Sequence, residues 1–254
     1  MRKPPQGTQA AIRAIRLLKA FSEERPELTL NELSAALDLT RTTAHRLLAA
    51  LESEDLVTRR GDTGAYRLGA GAMALGAQAL NSSDLRARVR PLLDSLAAET
   101  GETATLEVLV DGQMLILDEV ASGRMISPSG NIGTRWPLHA TATGKVLLAL
   151  VPDTRNLLHL PLRRYTDATI TDMATLEDEL ARVCRREFAT AVEELEEGFS
   201  AVATSIRNPL GKIDAVISLG GATPRLSKRR LTTMGAMLRS AARNSSRRAL
   251  AGYE

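Results

Sequence analysis

Three groups of residues in this 254-residue chain have types and spacing that could carry chemistry. The first is Arg41, Thr42, Thr43, His45 and Arg46, with no acid before Glu52. Guanidinium, hydroxyl and imidazole groups on one short stretch suit the edges of bases in a DNA major groove. An Arg and a His at a helix start are also commonly just solvated, so the run alone leaves both readings open. The second is Thr141-Ala142-Thr143-Gly144-Lys145, which has the look of a phosphate loop. A Walker loop needs glycine five residues before Gly144 and Ser or Thr after Lys145. The chain has His139 and Val146 there, which excludes that reading. The third is the acid pairs Glu193-Glu194 and Glu196-Glu197. Adjacent positions do not converge on one face, so a solvated run is the simplest account.

The histidines His45, His139 and His159 lack metal-ligand spacing, and the lone Cys184 adds little, so no metal or cofactor is expected. His139 is read as structural rather than as a general base. Cys184 falls in a helical pattern from Leu180 to Phe188 and is expected to be buried and inert. One cysteine excludes an intramolecular disulfide and points weakly to the cytosol. With no catalytic constellation, the chain is not expected to be an enzyme. Apolar content of 44% and charged content of 25% are those of a soluble globular protein with room for two cores. No apolar run is long enough to span a bilayer, and Arg13, Arg16 and Lys19 break the stretch that a signal peptide would need. Aromatic content of 3% counts against stacking on single-stranded nucleic acid or RNA. The net charge of +3 permits a polyanionic partner without requiring one. From Arg225 to Tyr253 there are eight Lys or Arg residues and no acid. That run is either a second nucleic-acid surface or, preferably, the outer face of a terminal amphipathic helix.

The elements that position the first group are legible. Thr29 precedes Glu32 by three residues, the spacing of a capping box. Leu30, Leu33 and Leu37 follow at helical spacing, Asp38-Leu39 breaks the pattern, and Thr40 caps a second helix running to about Leu51. That helix buries Leu47, Leu48 and Leu51, leaving Arg41 to Arg46 at its N-terminal end, where recognition helices meet bases. Ahead of the pair, Ala11, Ile15, Leu18 and Phe21 predict a helix with that stripe inward. Behind it, Leu56–Arg59 and Ala65–Leu68 alternate like strands around Gly61-Asp62-Thr63-Gly64. A basic hairpin in this place is the wing of a winged helix-turn-helix, with Arg59, Arg60 and Arg67 near phosphates.

Residues 69–82 read as a linker helix weakened by its glycines, and residues 83–254 as a second domain. The second domain opens with a helix on Leu85, Val89, Leu92, Leu96 and Thr100. Two strands, Thr103–Val110 and Gln113–Val120, follow around Asp111-Gly112. A helix over about 142–150, another over 175–188 capped by Thr175 with Asp178, strands over 200–206 and 213–219, and a last helix from about 227 complete it. Hairpins without regular strand–helix alternation predict an α+β fold with an antiparallel sheet. Helices on one face of that sheet would leave the other free to hold a small molecule.

Taken together, AIRAIRLLKAF, LTLNELSAALDLTRTTAHRLLAAL, YRLG, TGETATLEVL, PLHATATGKVLLA and the EELEEG segment resemble the IclR family of bacterial transcriptional regulators over nearly the whole chain. The resemblance implies a winged helix-turn-helix over 1–68, a linker helix, and a GAF-like effector domain. It also implies a homodimer or dimer of dimers on palindromic promoter DNA in the cytoplasm. A small organic or aromatic acid would be the effector, more often relieving repression than driving activation or both. By position the effector pocket would include Met125, Ala142, Thr143, Gly144 and Ser218. Backbone N–H groups at Thr143-Gly144 would cradle a carboxylate. Ser218 could equally be bonded within its own sheet. Where small-acid sensors of the family carry Asp, Cys and Ser, this chain carries Ala191, Ala201 and Gly220. That loss predicts a less polar, bulkier or aromatic effector. An architectural DNA-binding protein, the remaining rival, would need no second domain.

Overall fold

A computed structural model describes residues 7–22, 25–121, 132–208 and 210–251, with side chains described as far as 245. Met125 therefore lies outside the described residues. The chain divides into two compact units, Met1–Ser83 and Asp84–Glu254.

The first unit holds α1 (Gln9–Lys19), α2 (Leu30–Ala36), α3 (Arg41–Ser53), the hairpin β1 (Val57–Arg59) and β2 (Tyr66–Leu68), and α4 (Ala70–Asn81). The capping box forms: the Thr29 N–H donates to Glu32 Oε2 at 2.8 Å, and the Glu32 N–H donates to Thr29 Oγ1 at 3.3 Å. Asp38 takes a left-handed backbone (φ 50) in the turn to α3, a conformation that Asp tolerates better than most residues. Leu17, Leu33, Leu48, Val57 and Tyr66 build the core, and Leu28 ties the α1–α2 connection to the wing by pairing with Tyr66. The stripe expected on α1 holds in part, with Leu18 and Phe21 packed on the core. Leu17 is its buried residue, flanked by Ala14 and Leu18, while Ala11 and Ile15 are exposed. Both stripes obey helical spacing, and only packing against α3 chooses between them. The glycines opening α4 serve contact rather than weakness. A Cβ on Gly69 would lie 2.1 Å from the Asp55 carbonyl oxygen, where α4 seats on the end of α3.

In the second unit, α5 (Asp84–Thr100) precedes β3 (Thr103–Val110), β4 (Gln113–Val120) and β5 (Arg135–Pro137). Then come α6 (Ala142–Leu150), α7 (Met173–Arg186), β6 (Ala189–Val192), β7 (Phe199–Arg207), β8 (Ile213–Ala222) and α8 (Lys228–Ala251). The sheet runs β5-β4-β3-β8-β7-β6 with every neighbour antiparallel. Helices cover both faces, not one as the sequence suggested. Val89, Leu93, Leu231 and Leu238 of α5 and α8 pack on Leu106, Val202 and Ile217. On the other face, Val146, Leu176 and Leu180 of α6 and α7 pack on Ala189, Ala203 and Val216. Helix α7 starts earlier than predicted: Asp172 caps it, accepting from the Thr175 N–H at 2.8 Å, and Thr175 lies inside. It also ends earlier, at left-handed Glu187 (φ 59), and Phe188 leads into β6, a four-residue edge strand too short to announce itself by periodicity. Cys184 is exposed, contrary to expectation, because α7 buries Leu176, Leu180 and Val183 on its other side.

The basic C-terminal run turns out to be partly internal bracing. Arg225 and Arg230 reach fully buried Glu102 at 2.6 and 3.3 Å, the Arg239 guanidinium donates to the Arg186 carbonyl, and Arg243 pairs with Glu187. Charge that could have faced a polyanion is spent on the domain's own carboxylates and carbonyls.

Two glycines in helices distinguish contact from propensity. A Cβ at Gly144 would sit 2.2 Å from the Leu138 carbonyl oxygen, whereas Gly76 has nothing within 4 Å. Thermal unfolding should show Gly144→Ala destabilising by about 1–3 kcal/mol or more through overpacking. Gly76→Ala should stabilise by roughly 0.5–1 kcal/mol through helix propensity.

Candidate functional site

The N-terminal end of α3 is presented outward. Arg41, Thr42, His45 and Arg46 are exposed, while Ala44, Leu48 and Leu51 anchor the opposite face. Arg41 and Arg46 form no ion pair among the described residues, so their guanidinium groups remain available to a ligand. Thr43 differs: it is half-buried, and its hydroxyl lies 2.9 Å from that of the capping residue Thr40. In the wing, Arg59 and Arg67 are exposed, and Arg59 lies over the Tyr66 ring at 5.9 Å. Arg60 is committed elsewhere: it reaches Glu27 at 3.0 Å and Asp62 at 3.2 Å. Sequence pattern grouped the three wing arginines together. The hairpin turn separates them by bringing Asp62 back onto Arg60.

In the second unit a cavity opens between the sheet and the start of α6. Its floor is the face of β3 and β8 carrying Thr105, Glu107 and Ser218, and its apolar wall includes Ile116, Trp136, Leu195 and Phe199. Ala142, Thr143, Ala191, Ala201, Ser218 and Gly220 all line it, whereas Gly144 is not among the lining residues. The Gly144 N–H is already used, donating to Thr141 Oγ1 at 3.1 Å, so the backbone cradle expected at Thr143-Gly144 is partly closed by the helix's own cap. A bulge where β3 pairs β4 leaves Leu117 unpaired, so Ile116 and Glu119, three residues apart, both face the cavity. Asp118 between them points the other way, to Arg86 and Arg90 of α5 at 3.1 Å each.

Sequence reading missed the most unusual group in this site. Glu107 is 4% exposed, and burial pushes its carboxyl up to about 7 against hydrogen bonds from Thr143 and Thr105. Thr143 donates to Oε2 at 2.7 Å and Thr105 to Oε1 at 2.8 Å. The Thr105 and Ser218 hydroxyls are 2.7 Å apart. Because Thr105 gives its only hydrogen to Glu107, Ser218 must donate to Thr105 when Glu107 is ionised. Both readings of Ser218 therefore coincide: it is bonded within the sheet and it lines the cavity. The available signal was period two: Thr103, Thr105 and Glu107 alternate with Ala104 and Leu106.

The rim is held by a second buried group. Lys145, 1% exposed on α6, contacts both oxygens of Glu194 at 2.6 and 2.8 Å. Burial still pushes the Glu194 carboxyl up, with Lys145 opposing it. Thr166 and Thr169 donate to the carbonyls of Glu193 and Glu194 at 2.6 and 2.7 Å. The acid run read as solvated is thus half internal. His139, also buried, is bonded through Nε2 to the Arg163 carbonyl at 2.9 Å, a structural tie.

Gly220 explains where the lost side chains went. A Cβ there would lie 2.6 Å from Phe199 Cζ, so the ring folds over the strand where a serine would stand. The room freed at Gly220 is filled by the protein, and the cavity among the described residues has a volume of about 80 Å³. That is smaller than the roughly 150 Å³ engineered cavity that binds benzene.

An exposed helix-turn-helix with a basic wing, joined in one chain to a domain with a lined cavity, defines a DNA-binding regulator that responds to a small ligand. The profile of the IclR helix-turn-helix domain matches residues 10–61, and that of the bacterial transcriptional regulator IclR C-terminal domain matches residues 77–247. The chain belongs to the IclR family. It is 33% identical over 240 residues to the acetate operon repressor of Salmonella typhimurium, covering 92% of this chain and 88% of that protein. An IclR transcriptional regulator from Alicyclobacillus acidocaldarius superposes with a TM-score of 0.81 at 28% identity, over 94% of this chain and 98% of the other. An IclR homologue from Microbacterium hydrocarbonoxydans, complexed with 4-hydroxybenzoate, superposes with a TM-score of 0.77 at 27% identity, over 96% and 100%.

The raised pKa of Glu107 has a definite consequence for stability. Below about pH 4.5 both folded and unfolded chains carry this carboxyl protonated. As pH rises toward 7 the unfolded chain ionises first, so folding stability falls and then levels. Urea unfolding across this range should show Glu107→Gln gaining about 3 kcal/mol relative to the parent between roughly pH 4.5 and 8. A flat difference would place the carboxyl's titration elsewhere.

Proposed function

We propose that this protein is a repressor that binds palindromic promoter DNA as a homodimer or dimer of dimers and is regulated by a small effector held in the cavity of its second unit. One observation carries the reading: the exposed, basic end of α3 and a lined cavity belong to the same chain, each in its own compact unit. An architectural DNA-binding protein has no use for the second. Repression is supported by the similarity to the acetate operon repressor, with activation or dual control as the alternative. The family membership assigns binding rather than catalysis to the cavity, and the place of work is the cytoplasm.

In this reading Arg41, Thr42, His45 and Arg46 face bases, and Arg59 and Arg67 hold phosphates. Arg60 braces the wing through Glu27 and Asp62, and Thr43 braces the helix cap. Pairing of two copies is supported by the apolar residues exposed on the first unit, Ile15, Leu68, Met73 and Leu75. A dimer places two recognition helices on two half-sites, which is why a palindromic operator follows. Effector binding prefers one of two arrangements of the second unit, and the linker helix α4 converts that preference into a different spacing of the recognition helices. A coupling of roughly 1–3 kcal/mol is enough for a useful switch.

Fluorescence anisotropy with the promoter beside the protein's own gene tests the assignment. Arg46→Ala should weaken the specific site by about 1–3 kcal/mol and random DNA far less. Arg59→Ala should weaken both alike and lower the salt slope by about one. Arg60→Ala should instead change thermal stability or wing order more than the salt slope. Equal losses on both DNAs for Arg46→Ala would contradict base reading.

A further inference from the structure

The cavity has a polarity opposite to that of a carboxylate receptor. The described residues that line it include Glu107, Glu119, Glu194 and Glu196, and no Lys, Arg or His. Glu194 is neutralised by Lys145. Glu107, Glu119 and Glu196 make no ion pair among the described residues. Of the N–H groups that open α6, that of Gly144 is consumed by Thr141. Once Glu107 is ionised, an incoming carboxylate would meet like charge there.

The direction of the hydroxyl hydrogens sharpens the contrast. With Glu107 ionised, Ser218 donates to Thr105, and Thr105 and Thr143 both donate to Glu107. Every hydrogen in this chain runs toward the carboxylate. Within this run of hydroxyls, what remains for a ligand is lone pairs, on Ser218 and on the two Glu107 oxygens. Acceptors on the floor and the aromatic side chains of Trp136 and Phe199 on the wall together suit a cation with an apolar body.

We infer that the effector is a small amine, whose ammonium group is held by Glu107 and Ser218 while Trp136 and Phe199 enclose its apolar part. This rests on the reading of the cavity as the effector site. It departs from the organic or aromatic acid that the family resemblance implied. The cavity volume of about 80 Å³ limits the body to a few carbon atoms. Binding also has a pH signature. Burial holds the Glu107 carboxyl near 7, and an ammonium requires the ionised form, so complex formation releases a proton. The other charged groups facing this space are Glu119 of β4, Glu196, and the Lys145–Glu194 pair.

Isothermal titration of the full chain with butylamine, isobutylamine, 1-butanol and butyrate, without DNA, tests the inference. An amine should bind more tightly than the alcohol and the acid, with affinity rising about tenfold from roughly pH 6 to 8. Glu107→Gln should weaken the amine at least about tenfold and abolish that pH dependence, and it should not weaken butyrate. Far-ultraviolet dichroism and unfolding of the same variant confirm that it folds. Butyrate binding as tightly as the amines would overturn the inference. So would amine affinity that is unchanged in Glu107→Gln, and so would no amine heat at millimolar concentration. The regulator reading fails separately: amine binding that leaves operator affinity unchanged sinks the coupling while the ligand class stands. An operator complex that responds to acids alone sinks the ligand class while the regulator stands.

Discussion

A lysine amine buried to 1% exposure must have a partner, and Lys145 finds its own on Glu194 beside the cavity. Leaving either group alone in the interior would cost several kcal/mol, so the pair acts as a requirement more than as a source of stability. Much of the second unit follows from it. The pair holds the first turn of α6 against the loop after β6, and Thr166 and Thr169 hold the same loop from behind. Gly144, one residue before the lysine, lets that turn approach the Leu138 backbone closely enough for the reach to work. The cavity is the space this clamp leaves between helix and sheet.

What lines that space depends on features of the sheet that act together. Period-two alternation on β3 puts Thr105 and Glu107 on the cavity side and Leu106 in the core beneath α5 and α8. The bulge at Leu117 changes the parity of β4, so Glu119 joins the cavity while Asp118 serves the opposite face. On β8 the absence of a side chain at Gly220 admits the Phe199 ring. At that position an aromatic ring takes the space a side chain on Gly220 would fill.

The first unit is built on local terms. Thr29 with Glu32, and Thr40 with Thr43, satisfy the orphan N–H groups of two short helices within three residues of chain. The face of α3 toward the core is aliphatic and the opposite face is basic and exposed, which lets one helix serve packing and recognition without conflict. Arg60 shows the limit of counting charges: two nearby carboxylates already pair with it on the folded surface.

The sequence alone determined the helix-turn-helix, its caps, the wing, the α+β class and the family, because each rests on spacings of two to four residues or on motifs spread along the whole chain. The residues Thr143, Ser218, Ala191 and Ala201 could also be placed near a pocket by resemblance. Only the tertiary structure decided which stripe of α1 is buried, that helices cover both faces of the sheet, and that Cys184 is exposed. It also decided that Gly144 serves packing, and that Glu107 becomes the chemical centre of the cavity. These outcomes depend on contacts between residues far apart in the chain: Glu107 with Thr143, Lys145 with Glu194, Gly220 with the ring of Phe199. Local pattern says which face a residue takes. Burial, which sets the charge and hydrogen bonding of a carboxyl, is known only when the other elements have packed against it.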